Sequence, residues 1–229
     1  MSDITRSTQQ FYQRCMTVKN VRNSPEFIRA NHVGWKSIEE QVQGFEIATD
    51  LSWIDWTGVE SVLDIGCGYG SLLEFLSSTK LYKGKYCGID IMFNFILDAL
   101  LNHSGKNNSC FQTGDFLELD WEDKQFEVVI SLGGIGVNHD YPNRHGQRSI
   151  EYAQRFIWQA VRLSGSALSL YFLNADCKRR RNRSLAYYKI STIEAMIIEA
   201  CGSRLEDLTF VSYPKQGDIK TIAKVKLSS

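Results

Sequence analysis

The chain carries no net charge: 26 lysines and arginines balance 26 aspartates and glutamates. No overall field draws it to nucleic acid or to a membrane surface, so any such affinity has to be local. It has no apolar run approaching a bilayer span. Its polar, acid-bearing start, Met1-Ser-Asp-Ile-Thr-Arg-Ser-Thr-Gln-Gln10, predicts no signal peptide. The six cysteines (15, 67, 87, 110, 177 and 201) are scattered, with no Cys-x-x-Cys pair. That pattern reads most simply as reduced thiols in a cytoplasm. Without an export signal, the glycosylation-type triplets at Asn107 and Asn182 carry no weight. No internal repeat, low-complexity segment or convincing second domain is present.

What is present is an ordinary globular composition, 43% apolar and 23% charged, in 229 residues, enough for one domain with a substantial core. Residues 1–57 read as a helical leader and cap with no strand of its own. Ser24-Pro25-Glu26 marks one helix start, and Ser37 with Glu40 makes a capping box before Val42, Phe45, Ile47 and Ala48. The leader either packs on the main sheet or folds over a ligand. From residue 58 onward strands and helices alternate. Strands are expected near 61–65, 85–90, 109–113, 126–131 and 166–173, and helices near 71–79, 92–102 and 147–163. Ser191 and Glu194 cap a further helix that Gly202 ends. Crossover helices mean a mostly parallel sheet covered on both faces. The tail differs: 208–213 and 219–227 form an antiparallel hairpin around Tyr213-Pro-Lys-Gln-Gly217. In its last strand Lys220, Lys224 and Lys226 alternate with apolar residues, and Ile222 breaks the pattern.

The chain is organised around Ser61-Val-Leu-Asp-Ile-Gly-Cys-Gly-Tyr-Gly-Ser71. An apolar strand breaks at Gly66, Gly68 and Gly70, and helical spacing resumes at Leu72, Leu73 and Phe75. Such a turn lets the backbone approach a ligand, and the helix start favours electron-rich oxygens. Dinucleotide enzymes, flavoproteins and methyltransferases all use one. Three details narrow the field: the Gly-x-Gly-x-Gly spacing, Asp64 two residues before the first glycine, and a second strand, Lys85-Tyr-Cys-Gly-Ile-Asp90, that ends in a carboxylate. Asp90 at a strand's carboxyl end suits both hydroxyls of a ribose, whether of NAD or of S-adenosylmethionine.

With these residues the chain resembles the class I S-adenosylmethionine-dependent methyltransferases of small-molecule type. Val62-Leu-Asp-Ile-Gly-Cys-Gly-Tyr-Gly70 is similar to the family's first motif, Gly88-Ile-Asp90-Ile to the second, Gly114-Asp115-Phe116 to the third, and Phe126-Glu-Val-Val-Ile-Ser131 to the fourth strand. The resemblance implies a Rossmann-like α/β fold: a mostly parallel seven-stranded sheet, a C-terminal antiparallel hairpin and a helical N-terminal leader. It implies S-adenosyl-L-methionine as cofactor, with S-adenosyl-L-homocysteine as product. By that resemblance the glycine turn passes beneath the methionyl part, and Asp64 braces it or meets the ammonium group. Asp90 holds the ribose, Asp115 and the Phe116 N–H meet the adenine edge, Ile91 and Leu132 sandwich its faces, and Tyr12 and Trp35 close over the carboxylate end. His32-Val-Gly-Trp-Lys-Ser37, with Gln41 and Phe45, resembles a loosely defined subfamily in which arginine is expected where this chain has Gly44.

The acceptor is less legible. After the fourth strand comes Ser131-Leu-Gly-Gly-Ile-Gly-Val-Asn-His-Asp-Tyr-Pro142, without the Asn/Asp-Pro-Pro-aromatic signature of base-amino methyltransferases and without a Pro-Cys nucleophile. His139 is the candidate general base, because imidazole titrates near neutrality. His139, Asp140 and His145 lack a third firm ligand, so no metal is expected. Tyr141 and the run Arg179, Arg180 and Arg181 within Asp176-Cys-Lys-Arg-Arg-Arg-Asn-Arg183 are candidates to bind an anionic acceptor; a solvated charge run is the equal alternative. The favoured reading is transfer of a methyl group to an N or O atom of a small metabolite. An RNA- or tRNA-modifying enzyme with 178–183 on phosphates is disfavoured by zero net charge. A non-catalytic partner subunit is disfavoured by the intact glycine and Asp90 set.

Overall fold

Val62, Leu63 and Ile65 are apolar on both faces of their strand, and that strand lies at the centre of a sheet covered on both sides. The computed structural model describes residues 3–16, 25–142, 146–176, 182–215 and 218–228. Three helices come first: α1 (Asp3–Met16), α2 (Pro25–His32) and α3 (Ile38–Thr49). The alternating region is β1 (Ser61–Ile65), α4 (Ser71–Thr79), β2 (Lys85–Asp90), α5 (Phe93–Asn102), β3 (Ser109–Thr113), β4 (Phe126–Ser131), α6 (Gln147–Leu163) and β5 (Ser164–Asn174). A two-residue β6 (Tyr187–Tyr188), α7 (Ile190–Cys201), β7 (Leu205–Lys215) and β8 (Asp218–Leu227) complete it.

The sheet order is β3-β2-β1-β4-β5-β8-β7, with β6 added beside β5. β1 to β5 run parallel, while β8 is antiparallel to β5 and β7 to β8. This is the expected Rossmann-like sheet with its terminal hairpin, plus one short strand that two residues are too few to announce. The chain passes outward from β1 to β2 and β3, then returns across β1 to β4. At that reversal a crevice opens beyond the carboxyl ends of β1 and β4.

One face of the sheet packs Leu63, Val129, Leu168 and Phe172 against Phe156 and Ile157 of α6 and Ile197 of α7. The other packs Val62, Val128 and Ile130 against Leu72 and Leu76 of α4 and Phe45 and Ala48 of α3. α3 is tied down further by the Ser169 hydroxyl, which donates to the Ala48 carbonyl at 2.6 Å. Its capping box forms by half: Ser37 Oγ accepts the Glu40 N–H at 3.2 Å, while the Glu40 carboxylate takes the Lys36 N–H at 2.7 Å. α7 departs from expectation. It starts two residues earlier, after Lys189, with no side-chain cap. The alternation in β8 does not separate water from core, because β8 lies between β5 and β7; Lys220 and Lys224 are 4% and 6% exposed. Among the described residues no helix is long and apolar enough to cross a membrane.

Candidate active site

Gly66, Gly68 and Gly70 have φ of 80°, 54° and 77°. That left-handed backbone strains any residue with a Cβ, and a Cβ at Gly68 would also stand 2.7 Å from Val33 Cγ1. The turn is braced on β2. The N–H groups of Gly66 and Cys67 donate to the Ile89 carbonyl at 2.8 and 3.1 Å. Gly68 N–H donates to one oxygen of Asp90 at 2.9 Å, and Met92 N–H to the other at 2.9 Å. Turn and carboxylate are thereby locked together. Burial pushes the Asp90 carboxyl up to about 6. Burial also pushes Asp64 up to about 7, against the Tyr86 hydroxyl that donates to it and with the Asp90 charge adding to the rise.

Two narrow slots meet at Asp90. The first, about 60 Å³, is lined by Ile89, Ile91, Asp115, Phe116, Gly134 and Phe156. The second, about 40 Å³, runs from Asp90 over Gly66 and Gly68 to Asp64, Trp35 and Leu132. A cavity of about 280 Å³ adjoins it, sharing Tyr12, Val33, Trp35, Leu132 and Gly133. Tyr12 lines all three spaces.

Helix α1 roofs the first slot. The Thr5 hydroxyl donates to Asp115 at 2.5 Å, and Gln9 Nε2 donates to the Ile91 carbonyl at 3.1 Å. Ser7 Oγ lies 2.9 Å from His139 Nδ1. The Tyr12 ring meets Phe95 edge-on, 6.1 Å between centroids.

The family model described as "Methyltransferase domain" matches residues 62–160, the span from β1 through most of α6. A Mycobacterium tuberculosis protein named as a methyltransferase is 39% identical over 77 residues, covering 34% of this chain and 43% of that one. The 2-phytyl-1,4-beta-naphthoquinone methyltransferase of Arabidopsis thaliana is 30% identical over 90 residues, 36% of this chain and 34% of that one. The chain thus spans less than half the length of either relative. Magnesium protoporphyrin IX methyltransferase from Synechocystis, crystallised with S-adenosylhomocysteine, superposes with a TM-score of 0.63 at 17% identity, over 99% of this chain and 100% of that one. At that identity the likeness shows the fold.

Within residues 62–160, Asp64, Gly66, Gly68, Asp90, Ile91, Asp115 and Phe116 surround the two slots, and Tyr12 and Trp35 join them from the leader. Gly70 lines neither slot and serves as the N-cap of α4. Leu132 lines the second slot and the wider cavity but not the first slot, which Ile91, Gly134 and Phe156 line. His139 is 6% exposed, packed edge-on to Tyr152 at 4.5 Å, and lines none of the three spaces. Burial drives its imidazole down to about 4, against the pull of Asp140 and Asp115. Asp140 holds the start of α6, accepting the Gly146 and Ser149 N–H groups at 3.0 and 3.1 Å. Tyr141 is an exposed ring 5.4 Å beneath the Arg14 guanidinium, away from the cavity. Arg179, Arg180 and Arg181 lie outside the described residues.

Sequence reading missed Thr5, Ser7, Gln9 and Lys220. The first three carry no motif, and polar residues on an N-terminal helix ordinarily face solvent. Lys220 had one signal: the break at Ile222, which marks a strand buried on both faces.

Proposed function

We propose that this chain moves a methyl group from S-adenosylmethionine to a nitrogen or oxygen atom of a small molecule. One observation carries the reading. The Asp90 carboxylate stands where a flat apolar slot meets a polar one, with both its oxygens oriented by backbone N–H groups. These residues fit a nucleoside bearing an amino-acid tail. Ile91, Phe116 and Phe156 offer faces for an adenine, and Asp115 an acceptor at its edge. Each Asp90 oxygen keeps a lone pair for a ribose hydroxyl. Asp64 at the polar end suits an ammonium group.

The sulfonium supplies an activated methyl: an acceptor lone pair bonds to the methyl carbon as the carbon–sulfur pair returns to sulfur. The chain's own task is alignment, which alone is worth about 7–11 kcal/mol of barrier. Tyr12, Trp35, Leu132 and Gly133, shared by the second slot and the wider cavity, form the passage across which donor and acceptor face each other. His139, neutral and enclosed behind Ser7 and Tyr152, supports the roof rather than proton removal. A proton released by the acceptor leaves to water.

Titration calorimetry with S-adenosylmethionine, S-adenosylhomocysteine and NAD tests the reading. The two sulfur nucleosides should bind and NAD should not. Asp90→Ala should abolish detectable binding without altering the circular dichroism spectrum; near-wild-type affinity in that variant would overturn the ribose assignment.

A further inference from the structure

The wider cavity holds a feature that cofactor binding does not use. Its walls are largely ring and aliphatic carbon, from Phe11, Tyr12, Trp35, Leu132, Tyr171 and Leu173. Two lysines also line it: Lys36 is exposed, whereas Lys220, from β8, is buried among the rings. Lys220 and Glu40 form an ion pair at 2.9 Å, with side chains 6% and 1% exposed. The ammonium stands 4.6 Å over the Trp35 ring and 5.6 Å from the Tyr171 ring. Removing both charges from water is costly, and an apolar pair of the same volume is often as stable or more so.

Lys224 makes a useful contrast. It lies on the same face of the same strand and holds the Asp50 carboxylate at 3.0 Å and the Asp50 carbonyl at 2.6 Å. It lines no part of the cavity. Lys224 is a clamp between β8 and the end of α3, whereas Lys220 is a clamp that also presents its charge to a cavity.

Lys220 restricts what the cavity takes. A cationic acceptor would meet a fixed ammonium that already occupies the Trp35 and Tyr171 faces, where a cation would otherwise bind. An oxygen that accepts a hydrogen bond gains a charge-assisted donor in a dry setting. The rings favour a flat body. Resting on the methyltransferase reading above, we infer that this cavity binds the methyl acceptor, and that the acceptor is a flat, largely apolar ring compound with a carbonyl, phenolic or carboxylate oxygen directed at Lys220.

The test is calorimetry on the full chain with S-adenosylhomocysteine already bound, using three probes of one shape: 2-naphthoate, 2-naphthol and 2-naphthylmethylammonium. The two oxygen probes should bind, and the ammonium probe should bind at least about tenfold more weakly. The ratio of naphthoate to naphthol affinity tells a carboxylate from a phenolic acceptor. Lys220→Met should weaken the oxygen probes by about tenfold, leave the dissociation constant of S-adenosylhomocysteine unchanged, and remove the discrimination against the ammonium probe. Lys224→Met, which removes another buried lysine of the same strand from its ion pair with the exposed Asp50, should keep wild-type selectivity. Equal binding of all three probes to the wild type, no binding of any, or Lys220→Met behaving as Lys224→Met overturns the inference. Should Lys220→Met fail to fold, the wild-type ranking of the probes decides alone. Failure to bind S-adenosylhomocysteine at all would instead overturn the methyltransferase reading beneath it.

Discussion

The hydroxyl of Thr5, on the first helix, donates a 2.5 Å hydrogen bond to the Asp115 carboxylate, on the loop after β3. Asp115 Oδ1 meanwhile takes the Leu117 N–H at 3.0 Å. The acceptor that the proposed cofactor's adenine would seek is thus engaged by the protein itself, and the slot beneath measures only about 60 Å³. We predict that helix α1 shifts there when a nucleoside binds.

Thr5→Val keeps the shape of the side chain and removes the donor. A net hydrogen bond contributes about 0.5–1.5 kcal/mol, so S-adenosylhomocysteine should enter several-fold faster and bind slightly more tightly. Stopped-flow fluorescence reads this directly, since Trp35 lines the second slot. An unchanged association rate would mean that α1 opens without breaking this contact.

Cofactor affinity should depend on pH through two buried carboxyls. Asp64 and Asp90 are raised to about 7 and about 6. With no ligand the fold therefore retains protons that the unfolded chain, with ordinary carboxyls near 4, has released. Their contribution to stability is full below about pH 4 and is lost as pH rises through 6 to 7. A cationic ligand favours the ionised forms, so its affinity should climb over that window with proton release on binding. Calorimetry in buffers of different ionisation enthalpy counts the protons. Asp64→Asn should flatten the melting-temperature profile between pH 5 and 8; an undiminished slope would remove Asp64 from this account.

Gly44 sits inside α3, where replacing glycine by alanine ordinarily stabilises by about 1 kcal/mol. Here a Cβ would stand 2.6 Å from Trp35 Cη2. The indole is already fixed by Phe45 and Tyr171, with centroids at 6.4 and 5.8 Å. Gly44→Ala should lower the melting temperature, shift tryptophan emission and weaken binding in both the second slot and the wider cavity. A gain of the ordinary helix increment with unchanged binding would show that the indole has somewhere else to go. The positive charge over Trp35 comes from Lys220.

Local signals in the sequence announced β1 to β5, the glycine turn and the carboxylate ending β2. Each rests on a short apolar run, a forced positive φ or a strand terminus. The same signals could not reveal β6, whose two residues exist as a strand only because β5 lies alongside them. Nor could they bury His139, which as a loop residue read as a base and became a support once α1 and Tyr152 closed around it.

By itself, then, the sequence determined a parallel sheet with a glycine-lined seat at its reversal, because strand periodicity and glycine stereochemistry act within a few residues. Tertiary structure alone decided that Thr5 covers that seat and that Lys220 meets Glu40 beside Trp35. Those partners lie far apart along the chain. No local pattern encodes such a meeting, which arises only when β8 inserts between β5 and β7 and the leader folds back over the crevice.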